Sequence, residues 1–397
     1  MQVQGLPPCP AAHAPLIIDP GSGPFVAWLS RHEKIYASTR WWVCIGGSSP
    51  MRSSEQPAAL REAAEHRVLR LGWHTVGRPR RPVLFVNPRS GGGAAERTGV
   101  VERARELDVE AVILARGQSL AALAEAAVTR GADALGMAGG DGSLAVVAAA
   151  AAAHDLPFIC IPAGTRNHFA LDVGVDRNDV AGALEAFRDG VERQIDIAYV
   201  DGRLFLNNVS LGLYGDAVQR PAYRDAKVRT LLETAQLVLA PNGRAPDLRL
   251  TDDRGREHRQ PAVLLISNNP YALDQPAARG TRPALDTGQL GLLVLDAPAD
   301  RPHPPARAWT AETLEVEAPA TVAAGIDGEA SELSGPLRFT MRPASLRVRI
   351  SRNHPGASPS ARLAAGRQRL RRPAGPAAGS LRAGSAGLPH TGMTEQP

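Results

Sequence analysis

The chain has 397 residues and a formal net charge of +5, which is enough length for two ordinary domains with their own cores. Residues 351–397 hold seven arginines and a single acid, so the rest of the chain is close to neutral, which argues against a nucleic-acid-binding fold. Only Lys34 and Lys227 are lysines among 45 basic residues. Three widely separated cysteines predict neither a disulfide framework nor a zinc site.

The two ends of the chain predict no folded domain. Residues 1–80 are rich in Pro, Gly and Ser and have no assignable fold, so we expect a partly disordered extension. Residues 352–397 are expected to form a basic, disordered tail that could contact anionic lipid. No signal peptide is recognisable near Met1, and the longest apolar run is about ten residues, too short to span a bilayer. We therefore expect a cytoplasmic protein.

Residues 81–194 alternate between strand-like and helix-like segments. Short apolar runs predict four strands, and alanine-rich stretches at 119–132 and 143–153 predict helices between them. The strand sequences are "PVLFVN" (82–87), "VEAVILA" (109–115), "DALGMAGG" (133–140) and "LPFICIPAGT" (156–165). Strands that alternate with helices predict a parallel α/β sheet.

The pattern changes over residues 195–351. A hairpin with its turn at Asp201–Gly202 opens this region, and a helical insert is predicted at roughly 216–240. Strand-like segments then follow, namely "AVLLISNN", "GQLGLLVLDA", "TLEVEAP", "PLRFTMR" and "SLRVRIS". The fold class is therefore α/β, with a mostly antiparallel β-rich second domain and a cleft between the two domains.

Three glycine-rich loops follow strands of the first domain: "NPRSGGG", "GGDGS" and "PAGTRN". Ligands of parallel sheets bind beyond the carboxyl ends of the strands, and glycines before a helix offer backbone amides to an anion. A P-loop or protein-kinase site would need a lysine in a context that neither Lys34 nor Lys227 provides. The three-glycine spacing of a Rossmann fingerprint is also absent.

These motifs, with "PAGTRNHFALDVG" and the later "IDGE", resemble the diacylglycerol kinase catalytic family, in order from about Val83 to Ile350. The resemblance implies an ATP-dependent lipid kinase whose first domain binds ATP with Mg²⁺. The second domain would supply the lipid site and the catalytic acid. The acceptor would be a lipid hydroxyl at a membrane surface, with diacylglycerol as the default substrate. Phosphofructokinases and NAD kinases share the GGDG loop, but the further motifs of both are missing here.

The resemblance assigns roles to residues in each loop. Asp141 would hold Mg²⁺ or fix the loop through backbone amides. Thr165 and Asn167 would present polar groups to the nucleotide or cap a helix. The complete set of nucleotide-binding candidates is Asn87, Ser90, Gly91, Gly139, Gly140, Asp141, Gly142, Ser143, Thr165 and Asn167.

Two acids of the second domain complete the expected site. Glu329 in "GIDGEASE" matches the family's catalytic carboxylate, which would accept the proton of the lipid hydroxyl. The stretch "RPALDTGQLGLLVL" resembles the family's Asp-Gly-Leu region, which makes Asp286 the candidate for a structural Mg²⁺, and an ordinary Asp in a turn before a strand is the alternative.

The sequence departs from the family at His168, where the family usually has Asp, and at Ser143, where it has Thr. His168 removes a negative charge near the expected metal, so a catalytically silent lipid- or nucleotide-binding protein is the rival hypothesis. An exposed sheet edge would allow a homodimer.

Overall fold

The structure is a computed structural model. It describes residues 68–69, 71–212, 247–255, 257–259, 261–273, 280–296, 306–318 and 321–371. The helical insert that the sequence predicts at 216–240 lies outside the described residues, as does most of the N-terminal extension. Among the described residues, no helix is both long enough and apolar enough to cross a membrane.

Helices and strands alternate in the first part of the chain, as the sequence predicts. The strands are β1 (His74–Thr75), β2 (Pro82–Val86), β3 (Glu110–Ile113), β4 (Ala134–Gly139), β5 (Phe158–Pro162) and β6 (Gly190–Val200). The helices are α1 (Ala94–Arg97), α2 (Val100–Glu106), α3 (Leu120–Thr129), α4 (Asp141–Ala153), α5 (His168–Asp172) and α6 (Val180–Leu184), with 3₁₀ turns at Ser90–Gly92 and Glu185–Phe187.

Strands dominate the second part. They are β7 (Arg203–Phe205), β8 (Asn208–Gly212), β9 (Arg249–Asp252), β10 (Glu257–Arg259), β11 (Pro261–Asn268), β12 (Leu290–Asp296), β13 (Ala306–Ala311), β14 (Thr313–Glu317), β15 (Val322–Ile326), β16 (Glu329–Leu333) and β17 (Leu337–Ser351). A final helix, α7, spans Pro359–Arg371. The expected α/β fold with a β-rich second domain is confirmed.

The parallel part of the first sheet has the strand order β3-β2-β4-β5. Strand β3 lies on one side of β2, whereas β4 and β5 lie on the other side. The chain therefore changes direction across the sheet between β2 and β4, and a crevice opens beyond the carboxyl ends of the strands at such a switch point. The loops after β2 and β4 flank this point, where the Asn87 amide donates to the Ala138 carbonyl over 2.9 Å. The topology thus positions two of the three glycine loops side by side.

The second sheet is antiparallel, with the order β13-β12-β11-β8-β15-β16. Its strand β15 leads through a two-residue turn, Asp327–Gly328, into β16, whose first residue is Glu329. Both turn residues have positive φ, 50° and 83°, which Asp tolerates better than most residues and Gly adopts freely. This turn places Glu329 at one end of the second sheet.

The long strand β17 belongs to both hydrophobic cores. Strand β17 contributes Leu346, Val348 and Ile350 to the first core and Leu337 and Phe339 to the second. It pairs in parallel with β5 and antiparallel with β6. "PLRFTMR" and "SLRVRIS", predicted as separate strands of the second domain, are therefore one bulged strand in the interior of the first sheet, which continues beyond it through β14, β9 and β10.

The C-terminal segment differs from the expected tail, which was placed at 352–397. Ser358 and Ser360 are 2% and 0% exposed. Ser358 donates to the Arg282 carbonyl over 2.6 Å, and Thr281 donates to Ser360 over 3.0 Å. Trp73, within the expected N-terminal extension, donates to the Gly356 carbonyl over 2.8 Å. Small residues allow this segment to pack closely, so the folded part continues beyond residue 352 despite its Pro- and Gly-rich composition.

Candidate functional site

The three glycine loops pack against one another at the carboxyl edge of the first sheet. A Cβ built at Gly91 would lie 2.6 Å from the Ala163 carbonyl oxygen. A Cβ at Gly164 would lie 2.5 Å from the Gly140 Cα. Both separations are too short for a real side chain, so glycine is required where loop crosses loop. The edge is therefore lined by backbone more than by side chains.

The two asparagines of these loops bond to backbone within the loops. The Asn167 side chain accepts from the Gly164 amide over 2.9 Å and donates to the Pro162 and Gly164 carbonyls over 3.2 and 2.9 Å. Asn167 has a left-handed φ of 52° and makes no side-chain cap of α5. The Asn87 side chain accepts from the Arg89 amide over 3.1 Å. Both residues shape their loops, whereas Thr165 is exposed to solvent.

Asp141 is 7% exposed and occupies the first turn of α4. Its Oδ2 accepts from the His168 amide over 3.2 Å, and its Oδ1 accepts from the Phe169 amide over 3.1 Å. A carboxylate at the start of a helix is favourable, because the first backbone amides of a helix lack intrahelical partners. An acid thus sits within a glycine loop because it caps the neighbouring helix, α5.

Glu329 lies directly against the glycine loop. A Cβ at Gly142 would collide with both carboxylate oxygens of Glu329, so the glycine leaves the space that the acid occupies. Glu329 itself is exposed. The expected catalytic acid of the second sheet and the expected phosphate loop of the first are therefore brought together, with Asp141 beside Gly142 in the chain.

A third acid, Asp327, anchors the turn that carries Glu329. Its carboxylate accepts from the Leu206, Asn207 and Asn208 amides over 2.9, 2.7 and 3.2 Å. Burial raises the pKa of Asp327 to about 7, and the negative charge of Asp141 adds to this rise, although the three amides oppose it. Asp327 does not stand out in the sequence, because an Asp in a hairpin turn is common.

The glycines of "GGDG" have different surroundings. A Cβ at Gly139 would lie 2.5 Å from the terminal methyl group of Met137 and 3.3 Å from Ser143, so a side chain there would displace the end of Met137. A Cβ at Gly140 would meet only the Gly164 Cα, at 3.9 Å. Gly140 also has an ordinary φ of −87°. The protein itself gives no steric reason for glycine at position 140, which leaves room for a ligand to approach the backbone there.

Asp286 is separate from these loops. Asp286 is exposed and lines a cavity of about 230 Å³, together with Arg193 and Trp73. Burial lowers the pKa of Arg193, and the negative charges of Asp286 and Asp196 oppose that shift. A neighbouring arginine disfavours a second cation, so this surrounding does not fit a Mg²⁺ site at Asp286. The described residues contain no cluster of three or more metal-ligating side chains.

Arg166 is a further residue that the sequence analysis did not select. Its guanidinium Nη1 lies 3.1 Å from the position of a Cβ built at Gly328. Arg166 therefore reaches from the loop after β5 to the turn that carries Glu329. Because the two segments are far apart in the chain, only the folded structure reveals this proximity.

Comparisons with known proteins agree with this architecture. The family model of the diacylglycerol kinase catalytic domain matches residues 81–200. A diacylglycerol kinase of Mycobacterium tuberculosis (strain CDC 1551 / Oshkosh) is 32% identical over 131 residues, which cover 32% of this chain and 41% of that protein. The match thus spans about two fifths of the mycobacterial relative.

A longer match is found with a Pseudomonas aeruginosa (strain UCBPP-PA14) protein named as a probable lipid kinase, YegS-like. It is 31% identical over 263 residues, which cover 59% of this chain and 82% of that protein. The crystal structure of a candidate diacylglycerol kinase from Bacillus anthracis str. Sterne has a TM-score of 0.53 at 18% identity, covering 69% of this chain and 96% of that one. That similarity supports the two-domain fold. Together, the matched catalytic domain and the long Pseudomonas match show that the chain belongs to the diacylglycerol kinase family.

Proposed function

We propose that the protein is an ATP-dependent lipid kinase that transfers the γ-phosphoryl group of ATP to a lipid hydroxyl, with diacylglycerol as the first substrate to test. One observation carries the proposal: the carboxylate of Glu329, from the second sheet, lies against Gly142 in the glycine loop of the first. Phosphoryl transfer needs an acceptor-activating group beside a phosphate-binding site, and a carboxylate against a glycine loop supports the proposal on both counts.

In this proposal the nucleotide phosphates lie at the loops after β2, β4 and β5. Backbone amides would bind the phosphates in place of the lysine of a P-loop. The open position at Gly140 favours this placement, because the backbone is accessible there and a side chain would meet only the Gly164 Cα, at 3.9 Å. Asp141 holds the loop after β5 in place through the His168 and Phe169 amides.

In the same proposal, a magnesium ion would bind at this edge. Asp141, which precedes Gly142 in the chain, would hold it through its carboxylate, since Mg²⁺ in kinases is bound by one or two carboxylates together with substrate phosphates. When bound, Mg²⁺ neutralises charge on the phosphates. His168 contributes its backbone amide to Asp141, so this contact does not require the Asp that the family usually has there.

Glu329 would act as the general base. Its carboxylate is exposed and stands at the end of the second sheet, where a lipid hydroxyl could donate its proton as the oxygen attacks the γ-phosphorus. The acceptor would come from a membrane, so we propose that the protein works at a bilayer surface on the cytoplasmic side.

The test is phosphorylation of defined lipids by the purified full chain with Mg²⁺ and γ-labelled ATP. Mixed micelles would carry, one at a time, diacylglycerol, ceramide, a sphingoid base or an isoprenoid alcohol, and products would be identified by mass spectrometry. Labelled phosphatidic acid supports the proposal in full, and another labelled lipid corrects the substrate. Labelled NADP formed from NAD in a parallel reaction, with no labelled lipid, would contradict the proposal.

A further inference from the structure

Arg282 is a completely buried arginine outside the three glycine loops. Its Nε and Nη2 donate to Asp172 Oδ2 over 2.9 and 2.7 Å, and its own amide donates to Asp172 Oδ1 over 2.8 Å. Its Nη1 donates to the Leu206 carbonyl over 2.7 Å and to the Asn268 carbonyl, and its Nη2 to Asn207 Oδ1 over 3.2 Å. The planar guanidinium thus joins three separate segments of the chain, which the single ammonium of lysine could not do.

One end of this arrangement leads to the glycine loop. Asp172 is the last residue of α5, and the first amides of α5 bond to Asp141. Helix α5 has five residues, so it is a short connection between Asp141 and Asp172. The glycine loop that carries Asp141 is therefore linked through one helix to Arg282.

The other end leads to the turn that carries Glu329. Arg282 donates to the Leu206 carbonyl and the Asn207 side-chain oxygen, and Asp327 accepts from the backbone amides of residues 206–208 of the same segment. Asp327 is two residues before Glu329, and Glu329 lies against Gly142. The contacts therefore form a closed circuit from the glycine loop, through Arg282 and Asp327, back to the glycine loop.

We propose that the buried Asp172–Arg282 pair is a positioning device that fixes the distance between Glu329 and the phosphate loop. The proposal rests on the proposed lipid kinase function, because it assigns Glu329 the role of base. A buried ion pair is a poor source of net stability, whereas displacement of a reacting group by about 1 Å can cost roughly 100-fold in rate. Precise geometry explains such a pair better than stability does.

The test uses Arg282→Lys in the full chain, which keeps the positive charge beside Asp172 but loses the planar fork. We expect kcat for the lipid substrate to fall about 10- to 100-fold, with the KM for ATP changed less than about threefold. Amide hydrogen exchange should accelerate at residues 206–208 and 327–329 while the protection of β2 and β4 is retained. Exchange needs no substrate, so it tests the circuit even if no lipid is phosphorylated.

A matched control is Arg349→Lys. Arg349 is another buried arginine, 2% exposed, that pairs with Glu192 over 3.3 Å in the first sheet, away from the circuit. The Arg349→Lys substitution should lower thermal stability without the selective loss of kcat or the faster amide exchange at residues 327–329. If Arg349→Lys slows turnover as much as Arg282→Lys does, the effect is a general loss of stability and the positioning role is wrong.

Asn207→Ala provides a second variant in case Arg282→Lys does not fold. It removes only the side-chain acceptor of Arg282 and leaves the backbone amide that Asp327 binds. We expect a smaller fall in kcat of about threefold to tenfold and faster exchange at 327–329. Unchanged kcat and unchanged exchange in this variant would overturn the proposal, whereas a wild-type protein that phosphorylates no lipid would instead overturn the proposed function.

Discussion

Asp141 and Glu329 flank the same glycine, Gly142, yet their surroundings differ. Asp141 is 7% exposed, and each of its oxygens accepts a backbone amide of α5. Glu329 is exposed at the tip of a hairpin on the other sheet. A carboxylate bonded to two amides is fixed in place, whereas an exposed one can exchange a proton with a substrate. Under the proposed function, this difference supports a structural role for Asp141 and a proton-transfer role for Glu329.

The largest effect is expected from Glu329→Gln, which keeps the size of the side chain but removes its basicity. Turnover should fall by roughly 10²–10⁴-fold, as for other positioned acid–base groups. The affinity for Mg²⁺-ATP, measured by calorimetry, should change little, because the amides of the glycine loops remain. Glu332→Gln makes the same change at an exposed position of the same strand and should retain full turnover. Near-normal turnover of Glu329→Gln would remove this residue from the mechanism.

The second prediction concerns Asp327, which holds the turn of Glu329 and is affected by the charge of Asp141. Its pKa of about 7 is above the ordinary value of about 4 for Asp, so the folded state binds a proton more tightly than the unfolded state does. The contribution of Asp327 to stability is therefore present below about pH 4 and is lost as the pH rises through 7.

Urea unfolding at pH 4.5 to 8 measures this contribution as the difference between the wild type and Asp327→Asn. The difference should decrease with rising pH by at most about 1.4 kcal/mol per pH unit. In the Asp141→Asn background the decrease should be centred at lower pH, because one cause of the raised pKa is removed. A difference that stays constant over this range would show that Asp327 is ionised throughout.

Asp141→Asn should affect stability as well as ligand binding. An asparagine side chain has one acceptor oxygen, so one of the two α5 amides loses its partner, at a cost of about 1–3 kcal/mol in the free energy of unfolding. Mg²⁺-ATP affinity should also fall, because the loop after β5 is released. Asp179→Asn is the control, since Asp179 caps α6 at an exposed site where asparagine caps equally well. Unchanged unfolding of Asp141→Asn would contradict the capping role.

The smallest change is Gly140→Ala, which tests where the nucleotide binds. The added methyl group would lie 3.9 Å from the nearest protein atom, so the melting temperature should be preserved. It would meet the phosphates, and overpacking of this kind costs about 1–3 kcal/mol, which is roughly tenfold or more in ATP affinity. Gly77→Ala, also free of steric conflict, should leave both quantities unchanged. Normal ATP affinity of Gly140→Ala would move the nucleotide away from this loop.

The sequence predicted the local features of the site well. Each glycine loop follows its predicted strand, and the "IDGE" motif identified the acid that the structure places against Gly142. Short motifs could reveal these features because each depends on a few neighbouring residues: an apolar run, a turn and a helix start.

Features that depend on distant residues could not be predicted. Asp172 and Arg282 are 110 residues apart, and nothing in their local sequence marks them as partners. Ser358 and Ser360 lie in a stretch with the composition of a disordered tail, but both are buried through contacts with Arg282 and Thr281. Whether a side chain would fit at Gly139, Gly140 or Gly142 likewise depends on which atoms of the folded protein lie beside each position.

Strand β17 has a consequence for the order in which the chain can fold during synthesis. It is made more than 170 residues after β5, whose edge it covers. On the ribosome, β2 to β5 can assemble early, but the open edge of β5 stays without its final neighbour until residues 337–351 emerge. A recombinant fragment that stops at residue 200 lacks this strand and exposes an apolar edge, which favours aggregation. The part of the molecule built on the first sheet is thus a spatial unit without being a continuous segment of the chain.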